Sequence, residues 1–246
     1  MRGAFVIARR EMASFFGGTM AYVVLTVWLV VAGLSFEFVV EHFAQYAAAG
    51  ATDTPLRAWF QMPLIYIAIL VFAPILTMRL LAEERQSGRL EGLMTAPVSA
   101  TAIVFGKFIA AMSFWLALWF PTTFYVIILS RYGDVDLGAV GSAYLGVAML
   151  GCGYMAMGLL ASALAGSQVV AAVLATLVLS GAFVLGLGEY FLQEPIAEVL
   201  AYVNVYGHME QAAAGVLDSR RVVFHLSFAA LCLFLAVRVL EYRRFA

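Results

Sequence analysis

Residues able to do chemistry are scarce in this 246-residue chain, and they fall into three groups. The first is the three histidines, His42, His208 and His225. The second is the Gly106-Lys107 pair, the one place where a glycine precedes a lysine. The third is the run EERQSGRLEGLMTAPVS, Glu83 to Ser99, in which four acids and bases fall between Glu83 and Arg89.

Each group is tested against a known chemistry. A phosphate-binding loop, G-x-x-x-x-G-K-[ST], holds phosphates on its backbone amides. Here Phe108 follows the Gly-Lys pair and Thr101 stands where the first glycine belongs, so ATP is not bound that way. A zinc protease needs H-E-x-x-H, which is absent. The rhomboid-type G-x-S-G is absent as well, the nearest match being VLSG at Val178–Gly181. Of the three patterns of prenyl-protein endopeptidases, Phe38 to His42 fits F-x-x-x-H, and Glu83-Glu84 opens E-E-x-x-x-R with Gly88 in place of the arginine. The third pattern, H-x-x-x-N, does not occur. Cys152 and Cys232 lie in apolar segments and read as buried small hydrophobes, with no disulfide or metal spacing. The chain reads as carrying no catalytic residue, no cofactor and no metal of its own.

The elements that must position these residues follow from composition. Charged residues make up 12% of the chain and hydrophobic ones 64%, with a net charge of -1. Soluble domains carry about 25% charged residues. The chain therefore reads as an all-α integral membrane protein, and no basic face points to nucleic acid. Uncharged runs of about 20 residues suffice to cross a bilayer. They place six spans near residues 20–40, 59–80, 106–130, 139–164, 168–188 and 221–240 of a single domain, 1–246. LAGSQ at Leu164–Gln168 divides the long run between spans four and five. With both termini on one side, ten lysines and arginines share that side and four lie opposite. The positive-inside rule then predicts cytoplasmic termini.

Periodicity adds detail. Residues 2–16 read as an amphipathic helix with Phe5, Ala8, Met12 and Phe15/Phe16 on one stripe, suited to the membrane interface. Ser142 and Gly146, and Gly158, Ser162 and Gly166, repeat at four-residue spacing in span four, as close helix packing requires. Pro63, Pro74 and Pro121 are expected to bend or shape spans two and three. Glu189–Arg221 is too polar to span and reads as one or two short helices at the outer face. No span centre carries a charge, which argues against a proton-coupled carrier.

The charged run thus falls in a cytoplasmic loop between spans two and three. Ser87 is placed to cap a short helix whose Leu90, Leu93 and Met94 share one face, and Pro97 ends it. Physics alone leaves two readings open: a helix that plugs into a groove on a soluble partner, and a solvated connector whose charges satisfy each other.

EERQSGRLEGLMTAPVSATAIVFGKFIAA resembles the signature of ABC-2-type permeases, the membrane subunits of one branch of ATP-binding-cassette transporters. Glu84, Gly88, Glu91, Leu93, Pro97, Val98, Ser99, Gly106 and Lys107 match, while Arg89 replaces the usual threonine and Gly92 the usual leucine. The final loop and span also resemble the family, most of all its gliding-motility-type subgroup. The resemblance implies an N-terminal "elbow" helix, a coupling helix over Glu83–Pro97 and re-entrant helices between spans five and six. It further implies a separate ATPase subunit holding ATP and Mg, a second permease copy or a related permease, and a further membrane partner with a large extracytoplasmic domain. The expected ATPase contacts are Glu83, Glu84, Arg85, Gly88, Arg89, Leu90, Glu91, Leu93, Met94 and Pro97. Leu90, Leu93 and Met94 would be the apolar anchors, with Glu84, Arg85, Arg89 and Glu91 as the polar rim. Transport would be export. The competing expectation is a membrane scaffold or assembly factor that uses the same loop.

Overall fold

The structure is a computed structural model that describes residues 2–46, 54–88 and 98–245. Among these it is helical with no strands. Helix α1 (Arg2–Gly17) precedes α2 (Thr19–Tyr46), and a short α3 (Pro55–Phe60) precedes α4 (Pro63–Thr77) and α5 (Arg79–Gln86). Then come α6 (Ala100–Trp119), a 3-10 turn at Phe120–Thr122, α7 (Thr123–Leu129), α8 (Leu137–Leu164) and α9 (Gln168–Leu187). A second 3-10 turn, Gly188–Tyr190, leads to α10 (Ile196–Ala201), α11 (Val205–Ala213) and α12 (Ser219–Phe245).

Six stretches are long and apolar enough to cross a membrane: Thr19–Gln45, Pro63–Gln86, Ala100–Leu129, Leu137–Leu164, Gln168–Tyr190 and Ser219–Arg243. Their ends are set by local chemistry. Asp136, Ser167 and Ser99 cap α8, α9 and α6, each side-chain oxygen accepting from backbone N–H groups of the first turn. Pro63 does not bend span two; it occupies the first turn of α4, where its missing N–H costs nothing. Pro121 does interrupt span three, which tightens into the 3-10 turn there.

Helix α8 is the hub. In its most apolar stretch 78% of residues are buried, against 22% in span five, so span five presents most of its surface outward. The small residues of α8 explain the packing, since side chains from three directions reach its backbone. Trp115 of α6 lies directly over Gly151 and donates from Nε1 to Val147 O at 3.1 Å. Met209 and Ala212 of α11 close on Gly146, and Ser142 Oγ donates to Ala212 O at 2.6 Å. Thr77 at the end of α4 seats on Gly158. A larger residue at any of these glycines would meet atoms that have nowhere to go. Between spans one, two and three, Trp28, Trp59, Phe60 and Trp119 form an aromatic core with ring centroids 4.8–6.3 Å apart.

Candidate functional site

The end of the bundle that carries both termini, the terminal face, gathers α1, the α4–α5 junction and the start of α6. Helix α4 ends at Thr77 and α5 begins at Arg79, with Met78 between them and its N–H donating to Pro74 O at 2.8 Å. Ser162 of α8 bridges the junction. Leu81 N and Ala82 N both donate to Ser162 Oγ at 3.0 Å, and that hydroxyl donates to Met78 O at 3.0 Å. One side chain thereby satisfies two backbone amides and a carbonyl in a buried setting, where each unpaired group would cost about 1–3 kcal/mol. The sequence marked Ser162 as a small packing residue; its hydroxyl is what fixes the direction of α5.

Beyond that latch, α5 carries the charged residues onto the terminal face. Glu84 is buried, and its Oε1 lies 2.9 Å from Lys107 Nζ. The same ammonium lies 2.8 Å from Glu11 Oε1 of α1. The Lys107 side chain is 1% exposed. A single cation therefore holds together three segments that are distant in sequence. Gly106 makes this possible from the other side. A Cβ there would come within 2.8 Å of Ala4 O and 2.9 Å of Ile7, so α1 lies against bare backbone. Glycine lets α1 approach, and the lysine next to it pins α1 to α5. Two carboxylates share one ammonium, so the cluster retains a negative charge, and Glu84 Oε2 makes no hydrogen bond among the described residues.

The other residues expected at a partner interface are placed as follows. Glu83 pairs with Arg79 at 3.2 Å on the exposed side of α5. Arg85 is exposed, but its guanidinium donates to Ala165 O at 3.0 Å, just past the C-terminus of α8. Arg243 donates to the neighbouring Leu164 O at 3.0 Å, so two cations complement that helix end. Ser87 closes α5, donating to Glu83 O at 2.8 Å, and Gly88 follows in the left-handed region at φ +70°. Glu83, Glu84 and Arg85 thus belong to a helix that continues span two, where the sequence suggested a short helix starting at Ser87. Glu84 also faces inward, away from the rim position expected of it. Arg89, Leu90, Glu91, Leu93, Met94 and Pro97 lie outside the described residues. The signals that could have located Lys107's partners are its position in an otherwise uncharged span and the acid, Glu11, in the apolar N-terminal segment.

The distal face carries a different polar cluster. His208 of α11 and His225 of α12 approach at 3.1 Å, Nδ1 to Nε2, and His208 Nε2 lies 3.2 Å from Ala201 O. A carbonyl only accepts, so His208 Nε2 carries the hydrogen, its Nδ1 accepts, and His225 Nε2 donates. Arg221 Nη1 donates to Gly207 O at 2.6 Å. Burial, reinforced by Arg221, pushes the His208 pKa down to about 4. Asn204 caps α11 through Gly207 N and donates to Glu189 at 2.5 Å. Among the described residues no cluster of three or more His, Cys, Asp or Glu side chains could hold a metal.

No curated protein matches the chain. A family described as "ABC-2 family transporter protein" matches residues 49–237, which take in four of the six candidate spans whole, most of the last one and the whole charged run. This chain therefore belongs to the ABC-2 transporter family, as a non-catalytic, multi-pass membrane permease subunit of the kind that generally works with an ABC ATPase.

Proposed function

We propose that this permease is an exporter subunit driven by a separate nucleotide-binding protein, and that the segment from Glu83 to Pro97 receives the ATPase's motion. The observation that carries this is the anchoring of α5. The chain enters the segment from a helix latched to α8 by Ser162 and tied to α1 and α6 through Lys107. A push on the segment would be transmitted to spans two, three and four together, because close-packed interiors pass on displacement rather than absorb it. Leu90, Leu93 and Met94 are the proposed apolar anchors, with Arg89 and Glu91 as polar rim. Glu83 and Arg85, exposed on α5, would join that rim, and Gly88 would set the exit angle from α5. Glu84 supports the segment from within. ATP and Mg belong to the partner subunit.

On this reading both termini are cytoplasmic in a bacterial inner membrane, α1 is the elbow helix, and α10 and α11 form the re-entrant pair. A second permease copy or a related permease completes the membrane path. A gliding-motility-type system, with its further membrane partner bearing an extracytoplasmic domain, is the subgroup proposed. The test is purification of the tagged chain in mild detergent from its host. An ATPase bearing G-x-x-x-x-G-K-[ST] should co-purify, and L93E/M94E should release it. A complex without any ATPase overturns the reading and favours a membrane scaffold.

A further inference from the structure

Helix α11 covers the distal half of α8, where Met209 and Ala212 close on Gly146 and Ser142 Oγ donates to Ala212 O. A chain of three groups fastens that cover to its neighbours. His225 of α12 donates to His208 Nδ1 of α11, and His208 Nε2 donates to the carbonyl of Ala201, the last residue of α10. Both imidazoles are buried. The chain holds only while it is neutral. A proton on His208 Nδ1 would set two N–H groups against each other. A proton on the far nitrogen of His225 would face α8, whose Gly146, Met149, Leu150 and Gly153 offer no counterion.

The charged groups around the joint come from three directions. Arg221 lies on α12, Asp218 precedes that helix, and Glu189 lies in the second 3-10 turn. Burial first and Arg221 next hold the His208 pKa down at about 4, against the pull of Glu189 and Asp218. On its outer side His208 lines a cavity of about 430 Å3, together with Glu198 and Tyr202 beside α10 and Arg220 of α12. The imidazole therefore stands between a dry seat and an open space.

We infer that the His208–His225 joint is an acid-operated release, in which protonation expels the His208 ring from its seat into this cavity and α11 lifts from α8. Arg221 Nη1 to Gly207 O is a guanidinium-to-carbonyl bond that acid does not alter. It holds the start of α11 to α12, so the helix pivots there and its Met209–Ala212 end leaves Gly146. The released ring is hydrated and takes up a proton near about 6.5, whereas the seated ring does so only near about 4. The seated form is therefore fully favoured above about pH 6.5 and loses ground as pH falls toward about 4. Between pH 7 and 4.5 the ratio of released to seated protein should rise about fiftyfold. The release requires neither a transported substrate nor an ATPase.

The experiment is hydrogen exchange of the full-length chain in detergent at pH 7 and 4.5, with each amide's protection taken relative to its intrinsic rate at that pH. Protection in α11 should fall about fiftyfold on acidification and return at pH 7, while the interiors of α8 and α12 keep theirs. H208N retains an acceptor for His225, and H208Q retains a donor for Ala201 O. Neither side chain titrates, so each variant should abolish the acid response, and one suffices if the other fails to fold. H42N, at the remaining histidine, should leave the response intact. Protection in α11 that ignores pH overturns the inference. So does an equal loss in every span, which is general unfolding. A response that survives in H208N or H208Q also overturns it, because the carboxylates of Glu189, Glu198 and Asp218 would then be the groups that titrate.

Discussion

At the terminal face one buried ammonium, Lys107, sits between two carboxylates from different helices. At the distal face two neutral imidazoles, His208 and His225, share a hydrogen bond that ends on a backbone carbonyl. Both clusters tie together segments far apart in sequence, but their energetics differ. A buried ion pair is held by strong attraction against a large desolvation cost, so losing one partner leaves an uncompensated charge. A neutral hydrogen-bonded pair costs less to bury and less to break, and it is vulnerable to protonation. The rigid, ionic joint lies beside the segment proposed to receive mechanical input. The softer, neutral joint lies where the short helices α10 and α11 cover the opposite end.

That contrast can be broken most severely at Lys107. K107M should destabilise the folded chain by about 3–5 kcal/mol, because Glu84 is left buried, and Glu11 half-buried, without a counterion. Its thermal unfolding in detergent should show a large drop in midpoint. E11Q should cost much less, since Lys107 keeps Glu84. If K107M and E11Q prove equal, the ammonium is not the keystone. Next in size is Ser162. S162A strands Leu81 N, Ala82 N and Met78 O, and a loss of about 1–3 kcal/mol is expected. Gly158 is unaltered in that variant, so close packing is kept. Hydrogen exchange should rise at Leu81 and Ala82 rather than across α8.

The distal pair predicts the smaller effect, and its sign follows from the lowered pKa of His208. The unfolded side chain takes up a proton near its ordinary value of about 6.5, and the folded one only near about 4. Stability from the neutral pair is therefore complete above about 6.5 and is lost as pH falls toward about 4. The thermal midpoint should decline across that window. H208N should start lower and show a flatter decline. A midpoint that rises on acidification would mean that the histidines are charged in the folded state.

The chain's own order of residues determined its six apolar spans, the break at Leu164–Gln168, the amphipathic N-terminal segment and the charged run. These are local properties: hydropathy over about 20 residues and periodicity over a few turns need no knowledge of neighbours. The four-residue spacing of small side chains in span four was legible for the same reason, whereas Ser87, read as the start of a helix, closes α5 instead. What the tertiary structure decided is which distant group each polar side chain meets. Glu84 looks from sequence like its exposed neighbours Glu83 and Arg85, yet it turns inward because Lys107, 23 positions later, comes to lie beneath it. Ser162 looks like any small residue until the α4–α5 junction at Met78 comes to lie opposite it. His208 and His225 stand 17 positions apart, and only the packing of α11 on α12 joins them. A buried polar group must find a partner, but pattern alone does not name it. The partner is fixed when helices far apart in the chain pack side by side.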